Sequence, residues 1–235
     1  MTRIVAGVAG GRRLSVPAGR STRPTADRAR EGLFATILAL RGPLDGARVL
    51  DLYAGSGAVG LEALSRGAAD VLLVESDARA ARVIRRNIDT VGLPGARVLA
   101  DKVERVLARG PGGDPPRDVV FADPPYSTPD TEVQRMLAAL RDGVCHHGLL
   151  HHGDLDHGDL DYGDLDYGGG HDQGCDHGGW LAPGALVVVE RGTRSGPFAW
   201  PAGYTPERSR GYGEATLWYG LAAGARPVTA SSTGG

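Results

Sequence analysis

Asp118-Val119-Val120-Phe121-Ala122-Asp123-Pro124-Pro125-Tyr126 is an apolar run that stops abruptly on an acid, two prolines and an aromatic. A short run of β-branched and aromatic residues bounded in this way reads as a strand buried on both faces of a parallel sheet. The prolines then force an extended turn, because neither a helix interior nor a sheet ladder accommodates two residues without amide hydrogens. The strand therefore ends on chemistry. A carboxylate, a proline carbonyl and an aromatic face together form a slot for a flat ring bearing an exocyclic amine. The lone pair of such an amine is conjugated into its ring, so a reaction at that nitrogen needs acceptors that draw its hydrogens aside. Asp123 and the Pro124 carbonyl supply acceptors, Pro125 fixes the turn, and Tyr126 supplies a stacking face. A strand-end turn with a capping Asp is the structural alternative for these four residues taken alone.

Working outward, the region from Arg48 alternates strand-like and helix-like segments. Strands are expected at Val49–Leu52, Val71–Glu75, Ala96–Ala100, Val119–Ala122 and Ala185–Glu190, with helices at Ala58–Arg66, Ala78–Val91, Lys102–Ala108 and from Pro129 to about Arg141. Repeated βα winding gives an open α/β sheet that is mostly parallel. Tyr204–Arg210 and Ala215–Tyr219, around Gly211-Tyr212-Gly213, read as two antiparallel strands at its edge.

Ligands of open α/β sheets bind outside the carboxyl ends of the strands. An acid stands at each of the first four such ends: Asp51, Glu75, Asp101 and Asp123. Asp51 leads into Leu52-Tyr53-Ala54-Gly55-Ser56-Gly57-Ala58-Val59-Gly60, where the glycines allow a ligand close to the backbone at a strand-to-helix turn. Gly55-x-Gly57-x-x-Gly60, with Glu75 further on, also fits a dinucleotide. Asp51 ahead of the glycines favours instead a cofactor carrying an ammonium and a sulfonium charge, since a carboxylate there opposes a pyrophosphate.

Before this region, Arg3–Val8 and Arg12–Val16 around Ala9-Gly10-Gly11 predict an arginine-bearing β-hairpin. Pro24 holds Arg23 extended, and Thr25 is placed to cap a helix running to about Leu40. Ala29, Leu33, Ile37 and Leu40 fall at helical spacing and predict its buried face, with Arg28 and Glu31 on another. These polar residues suit either a solvated, ion-paired helix or contact with a ligand.

Residues 143–179 follow a different rule. His152-Gly153-Asp154-Leu155-Asp156 recurs as His157-Gly158-Asp159-Leu160-Asp161 and Tyr162-Gly163-Asp164-Leu165-Asp166, and all seven histidines and both cysteines of the chain lie in this segment. So much glycine and aspartate buries too little apolar surface to offset chain entropy, so a disordered insertion is expected. Its histidines and cysteines open a second class of reading, a metal-binding protein acting through the insertion, but their spacing is irregular and contains no Cys-x-x-Cys pair. No metal ligand is assigned.

The 235 residues bear a net charge of −2, yet residues 143–179 contain eight Asp and no Lys, Arg or Glu, so the remainder is net basic and rich in arginine. Such a body suits a phosphate-bearing partner. No apolar run approaches the length of a membrane span, and Met1-Thr2-Arg3 leads directly into a β-like segment, so a cytoplasmic protein is expected, without a membrane partner and as a monomer.

The Asp51–Gly60 block, continued by Leu61-Glu62-Ala63-Leu64-Ser65-Arg66-Gly67-Ala68, and Asp123-Pro124-Pro125-Tyr126 together resemble class I S-adenosylmethionine-dependent methyltransferases acting on amino groups. The amino-terminal blocks, Arg3-Ile4-Val5-Ala6-Gly7, Gly11-Arg12-Arg13-Leu14 and Thr22 to Glu31, resemble the bacterial family that methylates guanine N2 at position 966 of 16S ribosomal RNA. The resemblance spans residues 3–142 and 180–220.

It implies a Rossmann-like α/β fold, a mostly parallel seven-stranded sheet with helices on both faces, plus a small N-terminal β-hairpin. The corresponding organisation is an RNA-contacting extension at 1–24, a methyltransferase domain at 25–142 and 180–221, the insertion at 143–179 and a flexible tail at 222–235. S-adenosyl-L-methionine is the implied cofactor. Asp51, Tyr53, Ala54, Gly55, Ser56, Gly57 and Gly60 would hold its methionine part, Glu75 and Ser76 its ribose, and Asp101 and Lys102 its adenine. Asp123, Pro124, Pro125 and Tyr126 would seat the target guanine. Arg3, Arg12, Arg13, Arg23, Thr25, Arg28 and Arg30 would meet the partner, 16S ribosomal RNA or a small-subunit assembly intermediate. Adenine N6 in DNA is the alternative acceptor, since Asp-Pro-Pro-Tyr alone does not separate the two bases. The insertion departs from the family pattern, and because it follows a helix running away from the strand ends, it is expected at the rim opposite the site.

Overall fold

The structure, a computed structural model, describes residues 2–17, 25–143 and 179–223. Its centre is a seven-stranded sheet built from β3 (Arg48–Leu52), β4 (Asp70–Val74), β5 (Ala96–Leu99), β6 (Arg117–Ala122), β7 (Leu181–Gly192), β8 (Tyr204–Tyr212) and β9 (Ala215–Ala222). The order across the sheet is β5-β4-β3-β6-β7-β9-β8. The first five of these strands run parallel, and β9 pairs antiparallel with both β7 and β8. The expected strands are all present. β7 is longer than its apolar run suggests, because an irregularity between Arg117 and Val119 lets Leu181 pair with Arg117 while Leu186 pairs with Val119.

Strand residues are apolar on both faces because helices cover both. Leu50, Leu52, Leu72, Val74, Val120, Ala122, Val187 and Val189 share one core with α4 (Val103–Ala108) and α5 (Asp130–Asp142). Val49, Val71, Leu73, Val119, Phe121, Leu186 and Val188 share the other with α1 (Thr25–Arg41), α2 (Ala58–Ser65) and α3 (Ala78–Val91). This is the doubly covered sheet that continuous apolar runs require. α3 shows the local logic of these helices. Asp77 accepts the Arg79 and Ala80 amide hydrogens at its start, and Gly92 in the left-handed region closes its end.

The amino-terminal hairpin is smaller than the sequence predicts: only β1 (Thr2–Arg3) and β2 (Arg13–Leu14) pair. Polar contacts replace the missing ladder. The Val5 and Ala6 amides donate to Glu62 at 2.6 and 2.9 Å, and the Ala9 amide donates to Ser65 Oγ at 2.9 Å. Ile4, Ala9 and Leu14 pack on Leu61 of α2 and Val91 of α3. The hairpin is thus seated on the helix that begins at the glycine loop.

The repeat-bearing segment, with its expected disorder and its histidines and cysteines, lies outside the described residues. Its two flanks are described, and they meet. The Trp180 amide donates to Leu140 O at 2.8 Å, and the Arg117 amide to Trp180 O at 2.7 Å. Arg117 opens β6, so the flanks lie at the amino-terminal rim of the sheet, opposite Asp123. The tail was expected to begin at 222, but Ala222 is buried and pairs with Tyr204 in the sheet; residues 224–235 lie outside the described residues.

Candidate active site

Asp51 is carried on β3 facing α2, buried to 1% exposure, where it accepts the Gly60 amide hydrogen at 2.8 Å. Gly60 must be glycine: a Cβ there would stand 2.8 Å from the Val71 side chain and 3.2 Å from Asp51 Oδ2. Gly57 begins α2 at φ 75°, in the left-handed region that favours glycine. Glu75, just beyond β4, accepts the Gly55 amide at 2.8 Å on one oxygen and the Asp77 amide at 2.8 Å on the other. The two acids thus hold the glycine loop from below and from the side. Tyr53 between them is the one non-glycine residue with positive φ among the described residues (60°), and its hydroxyl donates to Glu104 at 3.2 Å.

Two adjoining cavities open at this rim. The larger, about 660 Å³, is lined by Asp51, Tyr53, Ala54, Gly55, Ser56, Phe121, Asp123, Tyr126, Glu190 and the Tyr212–Ala215 turn, with Thr2 and Arg30 at its side. The smaller, about 250 Å³, is lined by Tyr53, Glu75, Ser76, Asp123, Pro124, Pro125 and Tyr126. Tyr53, Asp123 and Tyr126 belong to both, so the Asp-Pro-Pro-Tyr turn is the partition between them. Volumes of this order match small-molecule and cofactor sites.

The electrostatics are one-sided. Asp51, Asp123, Glu190 and Glu214 line the larger cavity, and among the described residues Arg30 is its one cationic lining residue. Burial is the first cause that pushes Asp51 from 3.8 up to about 7, with the charges of Asp123 and Glu75 adding to it against the Gly60 hydrogen bond. Burial and then the Asp123 charge push Glu190 up to about 8. Burial and neighbouring acids push Tyr126 up to about 12. With four acids and one cation in its lining, the mouth suits a ligand with cationic groups better than a pyrophosphate.

Not every expected residue meets the cleft. Gly57 and Gly60 lie behind its wall as packing glycines. Asp101 and Lys102 line neither cavity: Asp101 accepts its own neighbour's amide and pairs with Arg109 at 2.7 Å. Arg30 is a correction to the expected RNA face. It is buried, donates to Arg3 O and Asp27, and pairs with Glu62 at 3.6 Å, so its charge is used inside the protein. Arg3, Arg12, Arg13 and Arg28 are exposed, with Arg12 anchored to the Val91 carbonyl. Thr25 begins α1, its side chain undescribed, and Arg23 lies outside the described residues.

The sequence reading missed Glu190. The same signal was present, an apolar run (Leu186 to Val189) ending on an acid, but at the fifth parallel strand instead of the first four. It also missed the Tyr212–Ala215 turn, which reaches the cleft only because β9 lies beside β7.

The family model for Conserved hypothetical protein 95 matches residues 2–152. The chain belongs to the Conserved hypothetical protein 95 family. Curated relatives include the Ribosomal RNA small subunit methyltransferase D of Escherichia coli strain K12, 40% identical over 53% of this chain and 60% of that protein. The Haemophilus influenzae protein of the same name is 35% identical over 53% of this chain and 63% of its own length. The chain therefore spans about three fifths of these relatives in the matched region. A solved structure of a hypothetical protein from a Thermus species superposes with a TM-score of 0.65 at 30% identity, covering 93% of this chain and 98% of that one. A solved structure from Escherichia coli named Putative methyltransferase yhhF superposes with a TM-score of 0.69 at 28% identity, covering 94% of this chain and 97% of that one, so the fold is that of α/β methyltransferases. The acid-lined cleft beside the glycine loop fits a cationic ligand such as S-adenosylmethionine.

Proposed function

We propose that this chain is an S-adenosylmethionine-dependent methyltransferase that methylates the exocyclic N2 of a guanine in small-subunit ribosomal RNA. The observation that carries the reading is that Asp51 and Asp123, from the ends of two adjacent strands, line one cleft with Tyr126. The names of the curated relatives and the basic amino-terminal segment support an RNA acceptor, and a cytoplasmic location follows from that substrate.

When bound, the cofactor would supply a methyl group on a sulfonium, from which a neutral thioether departs readily, and the proton shed by the methylated amine would pass to Asp123 or to water. Asp51 and the Tyr53–Ser56 loop hold its methionine part, and Glu75 with Ser76 holds its ribose. Glu75 keeps lone pairs beyond the two amides it already accepts. Asp123 and the Pro124 carbonyl accept the hydrogens of the target amine and fix its orientation, while Tyr126 stacks on the ring. Positioning by fixed acceptors supplies most of the acceleration, and no strong general base is required. The base must leave its stack to enter the cleft, as in other enzymes that modify nucleobases. Arg3, Arg12, Arg13 and Arg28 then meet the RNA backbone, and Arg30 supports that face from below.

The test is methyl transfer to small-subunit RNA, to its assembly particles and to plasmid DNA, all from a strain lacking this protein, with the modified nucleotide mapped. N2-methylguanine in the RNA is expected. N6-methyladenine in the DNA, or no transfer to any of the three, would overturn the reading.

A further inference from the structure

We propose that Glu190 reads the ring N1–H of the target base and thereby selects guanine over purines that carry an acceptor at that position. The proposal rests on the guanine-N2 reading above and names the specificity determinant that Asp-Pro-Pro-Tyr lacks.

The placement comes from strand register. Ala122 of β6 pairs with Val189 of β7, so Asp123 and Glu190 are the next residues beyond that pair on adjacent parallel strands. Adjacent parallel strands run about 4.8 Å apart, within the span of one purine edge. Both residues line the larger cavity with Tyr126. The Tyr126 hydroxyl donates to Glu190 Oε1 at 3.5 Å, the outer limit of a hydrogen bond, so the carboxyl adjoins the aromatic side chain in the same cavity. The neighbouring cation does not neutralise it: Arg191 turns away to Thr128 O and Asp130.

Chemistry then selects the ligand. In guanine the N2 amine is flanked by N1–H, giving two donors side by side. In adenine the N6 amine is flanked by an N1 lone pair. With Glu190 ionised, two carboxylates side by side offer acceptors to both guanine donors, whereas with adenine the second would face a lone pair. The N1–H donor itself favours that ionised form, against the burial that pushes Glu190 up to about 8. Leaving a buried acceptor without its donor is what makes such sites selective.

The experiment uses the full chain and small-subunit RNA carrying either guanosine or 2-aminopurine riboside at the methylated position. The analogue keeps the amine and replaces N1–H by an acceptor. Initial transfer rates are measured for the wild type, Glu190→Gln, which keeps an acceptor, and Glu190→Leu, which keeps the volume without one. Calorimetric cofactor binding monitors folding of each. The wild type is expected to prefer guanosine by about ten- to a hundredfold, the range of a well-formed base-edge contact. Glu190→Leu should lose that preference by slowing guanosine alone, and Glu190→Gln should retain guanosine transfer within a few fold. Equal losses on both RNAs, an unchanged preference in Glu190→Leu, or a wild type indifferent to the analogue would each overturn the assignment while leaving the methyltransferase reading intact. Failure of the wild type to modify guanosine would overturn both.

Discussion

Asp51 accepts the Gly60 amide hydrogen at 2.8 Å, so the acid that ends β3 is joined to the first turn of α2 beneath the glycine loop. The same carboxyl is almost wholly buried and, with burial as the main cause, is pushed from 3.8 up to about 7. Because the folded-state value lies above the unfolded one, the folded chain holds a proton that the unfolded chain has released. Stability from this group is therefore lost as pH rises from about 4 to about 7. A cationic ligand reverses the preference by favouring the carboxylate. Calorimetry of S-adenosylmethionine binding in buffers of different ionisation heat should show proton release near pH 7 for the wild type and none for Asp51→Asn. Equal proton release in both would contradict this account.

Asp123 and Tyr126 separate into orientation and stacking. Asp123→Asn should bind cofactor within a few fold of wild type and lower turnover by about 10²–10³, the scale of losing one preorganised electrostatic contact. Tyr126→Phe should stay near wild type, because its hydroxyl contact is long. Tyr126→Ala should raise KM for RNA by about five- to a hundredfold, as expected for one lost base stack. Steady-state kinetics with separate cofactor titrations distinguish these outcomes.

Arginines of the amino-terminal segment divide by burial. Arg30→Met removes a cation beside the fully buried Glu62 and should destabilise the protein by about 3 kcal/mol, the usual scale for breaking a buried pair. Arg3→Ala, Arg13→Ala and Arg28→Ala should each change stability by less than about 0.5 kcal/mol. Each of the three should instead weaken RNA binding and lower the salt dependence of that binding by roughly one counterion. Thermal unfolding and binding isotherms over a salt series provide both readings.

Shortening residues 144–178 to a few-residue linker should preserve melting temperature and methyl transfer. The flanking backbone already meets at Leu140 and Trp180, at the rim opposite the cleft. A loss of activity with normal folding would assign the segment a role in the reaction.

The sheet was legible because β4, β6 and β7 carry continuous apolar runs that end on Glu75, Asp123 and Glu190, and burial on both faces demands that pattern. Asp51, Glu75 and Asp123 were legible for the same reason. Glu62 was visible in principle as a single acid within Leu61-Glu62-Ala63-Leu64, but besides Arg66 four residues on, its partners come from the hairpin and α1, far away in sequence. Arg30 misled because a surface ion pair and a buried one look alike in a list of residues. The part of the cleft wall formed by Glu190 and the Tyr212–Ala215 turn depends on which strand lies beside β7, and periodicity carries no information about that order.

β9, the last described strand, sits between β7 and β8, and its neighbouring turn completes a cleft whose opposite side includes Thr2. A chain truncated before β9 would leave the Tyr212–Ala215 wall incomplete and β7 with an unpaired edge open to another strand.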